Sequence, residues 1–210
     1  MKTEIVTTLL REKVTAIVRG IAADSLRKTA DALLAGGVHS IEVTFDTPGA
    51  AEMIRTLKAE YADQMLVGAG TVLDTETCRT AILAGADLVL SPTLNVDVIT
   101  MCSRYGKAAV PGVMTPTEIL TAIEAGADIV KVFPAGALGP GYIKDVLGPL
   151  KQARIMAVGG VDLANAEAFF KAGAACIGVG SSLVSKKLID SGDFAQITAR
   201  AEGFVRAAGK

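Results

Sequence analysis

Four times along this chain a small-residue triplet stands just before an apolar run. Ala35-Gly36-Gly37 leads into SIEVTF, Ala84-Gly85-Ala86 into LVLSP, Ala125-Gly126-Ala127 into IVKVFP and Ala172-Gly173-Ala174 into CIGVGSS. The first glycines of the four copies are 49, 41 and 47 residues apart. Each copy reads as a helix closed by glycine, a tight turn and a buried strand. A second set of apolar runs, VTAIVRG, MLVGAG, KAAVPG and RIMAVGG, falls between them, and amphipathic stretches such as Ala50 to Tyr61 and Thr115 to Ala125 separate all eight. Eight strands alternating with helices in four similar quarters predict a (β/α)8 barrel built as a single domain over residues 1–210. The structural rival is a doubly wound open sheet, which carries a glycine-rich fingerprint after its first strand; here the first run ends in Arg19-Gly20 with no such pattern. Lys2 to Lys13 and Gly192 to Ala208 read as helices outside the eightfold unit, one at each end. Phe194, Ile197, Ala201 and Phe204 give the second an apolar stripe.

Half of the residues are hydrophobic but only 4% are aromatic, so the strands are packed with Ala, Val, Ile and Leu, as in sheets covered by helices. A net charge of -1 without a basic block argues against nucleic acid as a partner. Charged residues interrupt every apolar stretch before it reaches membrane-span length, and residues 1–10 show no signal-peptide core. These features predict a cytoplasmic protein with no membrane partner. Cys78, Cys102 and Cys176 are odd in number, far apart and never in a CxxC pair, which favours reduced thiols over disulfides or zinc. His39 is the only histidine, so a histidine-rich metal site or a Ser-His-Asp triad has too few parts, and His39 reads as a core or strand-start residue.

Lysine and carboxylate chemistry is what remains, and the chain offers both in unusual places. Lys131 lies inside Ile129-Val130-Lys131-Val132-Phe133, a run that otherwise reads as a buried strand. Burying an unpaired ammonium lowers its pKa and leaves a neutral amine, the form that attacks a ketone to give a Schiff base. Glu42 stands between Ile41 and Val43 in the second run. In a barrel with both side chains directed inward, amine and carboxylate meet in one apolar lumen. The alternative is a mutually neutralising salt bridge, which contributes little net stability; acid–base service beside an imine-forming lysine accounts better for the pair.

Catalytic groups in such barrels come from the C-terminal ends of the strands. Those ends carry Arg19, Thr44, Gly70-Thr71, Ser91-Pro92, Pro111-Gly112 and Phe133. The last two end in Val158-Gly159-Gly160 and Gly178-Val179-Gly180-Ser181-Ser182. Glycines at the last two ends predict a phosphate cradle of backbone N–H groups, strengthened by a helix expected to open at Ser181. Arg19 is a candidate for a substrate carboxylate or the phosphate.

In this order and spacing, IEVTF, GAGTV, SP, PGVMTPTE, VKVFPA and GVGSSLV closely resemble the class I 2-keto-3-deoxy-6-phosphogluconate (KDPG) and 4-hydroxy-2-oxoglutarate (KHG) aldolases, from about Val14 to Val184. The resemblance implies a homotrimeric barrel, no metal or other cofactor, and cleavage of a 2-keto-3-deoxy-6-phospho sugar acid to pyruvate and glyceraldehyde 3-phosphate. It further implies Lys131 as the Schiff-base lysine, Glu42 as the acid–base group working through water, Thr71 beside the pyruvyl carboxylate and Phe133 beside the imine. Gly159, Gly160, Gly180 and Ser181 would hold the phosphate. Two departures stand out. Many members read TLRT after the glutamate, where this chain has Thr44-Phe45-Asp46-Thr47, so the carboxylate role shifts to Arg19. Val158 occupies a position where gluconate-type members read TGG, and AVGGV with IVRGI and GALGPGYIKD is similar to the subgroup acting on the galactonate-derived C4 epimer. Both epimers stay open on the sequence. A phosphate-binding synthase or isomerase barrel, such as a thiamine phosphate synthase-like enzyme, would share the glycines but has no need of a buried lysine.

Overall fold

The computed structural model describes residues 2–210. Nine strands form one parallel sheet: β1 Val14–Val18, β2 Ser40–Thr44, β3 Leu66–Gly70, β4 Leu88–Leu90, β5 Ala108–Val110, β6 Gly112–Val113, β7 Val130–Val132, β8 Ile155–Val158 and β9 Cys176–Val179. Their spatial order is β5-β4-β3-β2-β1-β9-β8-β7-β6. The two ends of that order are consecutive in the chain and separated only by Pro111, so the sheet curls into a nearly closed barrel. The count is thus nine where eight were expected. Proline has no N–H to place in a ladder, and the run KAAVPG divides there, β5 pairing with β4 and β6 with β7.

Ten α-helices accompany the strands: α1 Lys2–Glu12, α2 Leu26–Ala35, α3 Ala50–Tyr61, α4 Thr75–Leu83, α5 Val96–Arg104, α6 Pro116–Glu124, α7 Ala135–Leu147, α8 Ala166–Lys171, α9 Lys186–Asp190 and α10 Phe194–Ala207. The repeated triplets close helices α2, α4, α6 and α8 in the same way. A left-handed glycine (Gly37, Gly85, Gly126, Gly173) is followed by a residue whose N–H returns to the carbonyl five positions back. These bonds are Val38 to Leu33 (2.9 Å), Ala86 to Ala81 (3.1 Å), Ala127 to Ala122 (3.0 Å) and Ala174 to Phe169 (3.0 Å). In the first copy the second glycine takes the left-handed role. Each cap reverses the chain and feeds the next strand into the barrel, which is the physical content of the repeat.

Two apolar layers result. Outward-facing strand residues such as Ile41, Val43, Val130 and Val132 pack against the helices. Inward-facing Ile17, Leu88, Leu90, Val110, Ile129, Met156 and Val158 fill the lumen together with Val6 and Leu9 of α1. The first helix therefore stoppers the N-terminal end of the barrel. His39 sits just before β2, its Nδ1 3.0 Å from the Gln64 carbonyl, as a strand-start residue. All three cysteines are free and buried, with Cys78 and Cys102 Sγ 3.6 Å apart.

Candidate active site

Strand alternation puts Lys131 inside the barrel, because Val130 and Val132 on either side of it face the helices. Lys131 is 4% exposed, and Glu42, on β2, is 1% exposed. Both line one cavity of about 370 Å³ at the C-terminal end of the barrel. Burial pushes the Lys131 ammonium below its ordinary value; the Glu42 charge partly opposes this and Arg19 adds to it. Burial pushes Glu42 upward, Lys131 and Arg19 pull it down, and Asp46 raises it further. The two groups feel each other without making the direct salt bridge that was the alternative reading. Glu42 Oε2 is buried with no protein hydrogen-bond partner, and Lys131 Nζ lies 5.2 Å from the centroid of the Phe133 ring. A buried carboxylate oxygen left unpaired is costly, and such a cost is usual where a reacting group must be met. Together the pair offers a nucleophilic amine and a carboxyl that can exchange a proton.

Glu42 has room because β3 ends in glycine. A Cβ on Gly70 would overlap Glu42 Oε1 and lie 2.5 Å from its Cδ. This requirement was missed in the sequence, where GAGT was read only as a strand end.

The last two strand ends form the rest of the wall. Val158, Gly159, Gly160, Gly180 and Ser181 line the same cavity as Arg19 and Phe133. Gly159 and Gly160 are both left-handed, at φ 84° and 75°. A Cβ on Gly159 would come within 2.9 Å of Phe133 Cε2, and one on Gly160 within 2.9 Å of Gly136 Cα. No other residue type fits this turn without moving the aromatic wall. The helix expected to open at Ser181 does not. Gly180 to Val184 make one closed turn, with the N–H groups of Leu183 and Val184 donating to the Gly180 carbonyl at 2.9 and 2.8 Å. Ser185 is then extended (φ −84°, ψ 125°), and α9 begins only at Lys186 and runs five residues. The anion-binding capacity here is therefore that of local N–H groups. Those of Gly160, Ser181 and Ser182 have no partner among the described residues.

At the opposite side the ends of β1, β2 and β3 are tied together. Arg19 Nη2 donates to Thr71 Oγ1 at 3.2 Å, and Arg19 Nε stands 3.6 Å from Asp46 Oδ2. The Gly20 N–H donates to Thr47 Oγ1 at 2.9 Å, and the Phe45 N–H to the Gly70 carbonyl at 2.8 Å. Thr71 has φ 56°, unusual for a β-branched residue and frequent at functional sites. Thr71 does not line the cavity wall but reaches it through Arg19; the other nine residues given a catalytic or substrate role in the sequence do line it, whereas the strand-end residues Thr44, Gly70, Ser91, Pro111 and Gly112 do not. Sequence reasoning missed Lys186 in the wall and Asp46 as the partner of Arg19, and it gave Pro92 and Ser182 only as strand-end positions.

The family model of KDPG and KHG aldolases matches residues 5–200. The chain is 40% identical over 171 residues to a 2-dehydro-3-deoxy-phosphogluconate aldolase of Treponema pallidum (strain Nichols), covering 81% of each. It is 37% identical over 169 residues to a 2-dehydro-3-deoxy-6-phosphogalactonate aldolase of Escherichia coli (strain K12), covering 80% of this chain and 82% of that one. Among solved structures, the KDPG aldolase of Legionella pneumophila, with pyruvate captured at low pH as a covalent carbinolamine intermediate, aligns with a TM-score of 0.90. Its sequence is 27% identical, and the alignment covers 97% of this chain and 99% of that one.

Proposed function

This chain belongs to the KDPG and KHG aldolase family, whose members are carbon–carbon lyases, and on that premise we propose that Lys131 and Glu42 carry out a Schiff-base aldol cleavage. The substrate is a 2-keto-3-deoxy-6-phospho sugar acid and the products are pyruvate and glyceraldehyde 3-phosphate. One observation carries the assignment of roles: a lysine 4% exposed, with no ion-pair partner among the described residues, shares a cavity with a buried carboxyl whose Oε2 has no hydrogen-bond partner among them. The neutral Lys131 amine attacks the C2 ketone; loss of water gives a protonated imine that withdraws electrons from the C3–C4 bond. Glu42, through water, takes the C4 hydroxyl proton as that bond breaks. The enamine is protonated at C3, and hydrolysis frees pyruvate from the lysine. Phe133 walls the imine, Arg19 and Thr71 receive the C1 carboxylate, and the N–H groups around Gly159, Gly160, Gly180 and Ser181 receive the phosphate.

Val158 bears on the stereochemistry at C4. It lies in the cavity wall with a methyl packed where a Cβ on Gly178 would meet it at 2.9 Å, and it offers no hydroxyl to the oxygenated carbons. This supports activity on the galactonate-derived epimer beside or above the gluconate-derived one. On the same premise we read β5 and β6 as one strand interrupted at Pro111, which makes an eightfold barrel, and residues 1–210 as one aldolase domain. A cytoplasmic homotrimer follows from the resemblance. Exposed Leu73, Met114 and Val96, the last opening α5, follow β3, β6 and β4 at one end of the barrel and support a further apolar contact there.

Borohydride reduction in the presence of pyruvate tests the assignment. The expected result is a reduced pyruvyl adduct on the peptide containing Lys131, absent in Lys131→Ala. An adduct on Lys144, Lys151 or another lysine would overturn it.

A further inference from the structure

Asp46 is an electrostatic oddity: an acid at the mouth of a cavity read as binding a dianionic phosphate and a carboxylate. Its side chain is 45% exposed, but the turn that carries it is held firmly. Its neighbour Thr47 is 2% exposed, accepts a hydrogen bond from the Gly20 N–H at 2.9 Å and lies 3.2 Å from Thr44 Oγ1. On its other side, Phe45 N–H is tied to the Gly70 carbonyl at the end of β3. The turn carrying Asp46 is thus stapled to the ends of both neighbouring strands, and the residue beside Gly20 is Arg19 itself. Arg19, itself 60% exposed, then has a partner on two edges of its guanidinium: Nη2 donates to Thr71 Oγ1 (3.2 Å), and Nε makes an ion pair with Asp46 (3.6 Å). A guanidinium has five N–H donors in a rigid plane, so partners on two edges bias where the rest point.

We propose that Asp46 is a positioning residue for the aldol reaction, orienting Arg19 for the substrate carboxylate and offsetting the Arg19 charge at Glu42. This rests on the aldolase reading above and extends it to a residue outside the cavity wall. The second half follows from the neighbours of Glu42. The charged groups acting on it are Lys131 and Arg19, which favour its ionised form, and Asp46, which opposes them. Glu42 and Arg19 act in turn on Lys131.

The test compares Asp46→Asn and Asp46→Ala with the unaltered enzyme, in steady-state cleavage of the phosphorylated substrates and in borohydride trapping at graded pyruvate. Asp46→Ala is expected to raise KM, and the pyruvate concentration for half-maximal trapping, by about three- to tenfold through loss of orientation. Asp46→Asn keeps an oxygen acceptor for Nε–H and is expected to recover part of that loss. In both variants the acid limb of kcat moves to lower pH. At saturation Lys131 is already committed as the imine, so that limb titrates Glu42, and removing the Asp46 charge makes Glu42 easier to ionise. A merely structural Asp46 would move no limb. An unshifted limb, or a KM that falls because Asp46 had competed with substrate for Arg19, would overturn the proposal. Failure of the unaltered enzyme to form any pyruvyl adduct would instead overturn the aldolase reading beneath it.

Discussion

Gly70→Ala tests whether the space around Glu42 is as the structure requires. Gly70 ends β3, and its added Cβ would overlap Glu42 Oε1 while standing 2.5 Å from Cδ and 2.8 Å from Cγ. Relief to ordinary contact demands a shift of the carboxyl by about 1 Å or a change of rotamer, in a site where misplacement of that size costs on the order of 100-fold in rate. Overpacking of a buried site costs about 1–3 kcal/mol, or a Tm lower by about 2–12 °C for a domain of this size. The expected result is a kcat reduced about 100-fold, matching Glu42→Gln, with the pyruvyl adduct on Lys131 still formed because the nucleophile is untouched. Gly68→Ala is the control. It lies on the same face two residues earlier, and its Cβ would meet only Leu88 and Leu90 side-chain atoms, at 3.0 to 3.3 Å. It should lower Tm while leaving kcat within a few-fold. The assays are pyruvate release, borohydride trapping and thermal unfolding of both variants. Normal turnover by Gly70→Ala would refute the geometry, and equal loss by Gly68→Ala would show that strand damage, not Glu42 displacement, is responsible.

Two further outcomes are expected. Val158→Thr should move the ratio of kcat/KM values toward the gluconate-derived epimer by a few-fold to tenfold, the worth of one neutral hydrogen bond of about 0.5–1.5 kcal/mol; a ratio that does not move would place C4 selection elsewhere in the cavity. The double variant Glu42→Gln/Lys131→Met, inactive by design, should unfold at a higher temperature than the unaltered protein at pH 7, since apolar or neutral replacement of buried ionisable pairs is neutral or stabilising. Its pH dependence has a definite sign. Burial holds Lys131 below its ordinary 10.5, so between the folded and unfolded values the unfolded chain binds the proton that the folded chain gives up. Stability of the unaltered protein therefore gains from Lys131 as pH rises toward 10.5, and thermal unfolding scans of the double variant should lack that gain.

The alternation of strands and helices was legible because each quarter is punctuated by the same glycine cap, a local device that needs no tertiary information. The inward direction of Lys131 and Glu42 was legible too, since a charge flanked by β-branched residues on a doubly covered strand has one face left to it. The ninth segment was not, although Pro111 was visible in KAAVPG, because whether a proline ends a strand or only divides it depends on which neighbours pair on each side. The turn at Ser181 was misread as a helix start. Gly-Ser-Ser-Leu-Val carries good N-cap chemistry, and the extended Ser185 that stops propagation has no local signature. Arg19's partnership with Asp46 and Glu42's dependence on Gly70 are contacts between different strand ends, fixed by the barrel's register and invisible along one strand.

The stopper formed by α1 has a kinetic meaning. With Val6 and Leu9 filling the lower lumen, the reaction chamber is a blind-ended cup. On the proposed reaction, the carbon bonded to Lys131 would sit toward its floor, and the phosphate would lie at the glycine turns beyond the strand ends, at the rim. That placement would give traffic an order: after cleavage the aldehyde fragment, nearer the rim, would depart first, and the lysine-bound three-carbon acid would follow. Run in the synthetic direction, the same cup would load pyruvate before aldehyde, so on this reading the order of the two substrates depends on which end of the barrel is plugged.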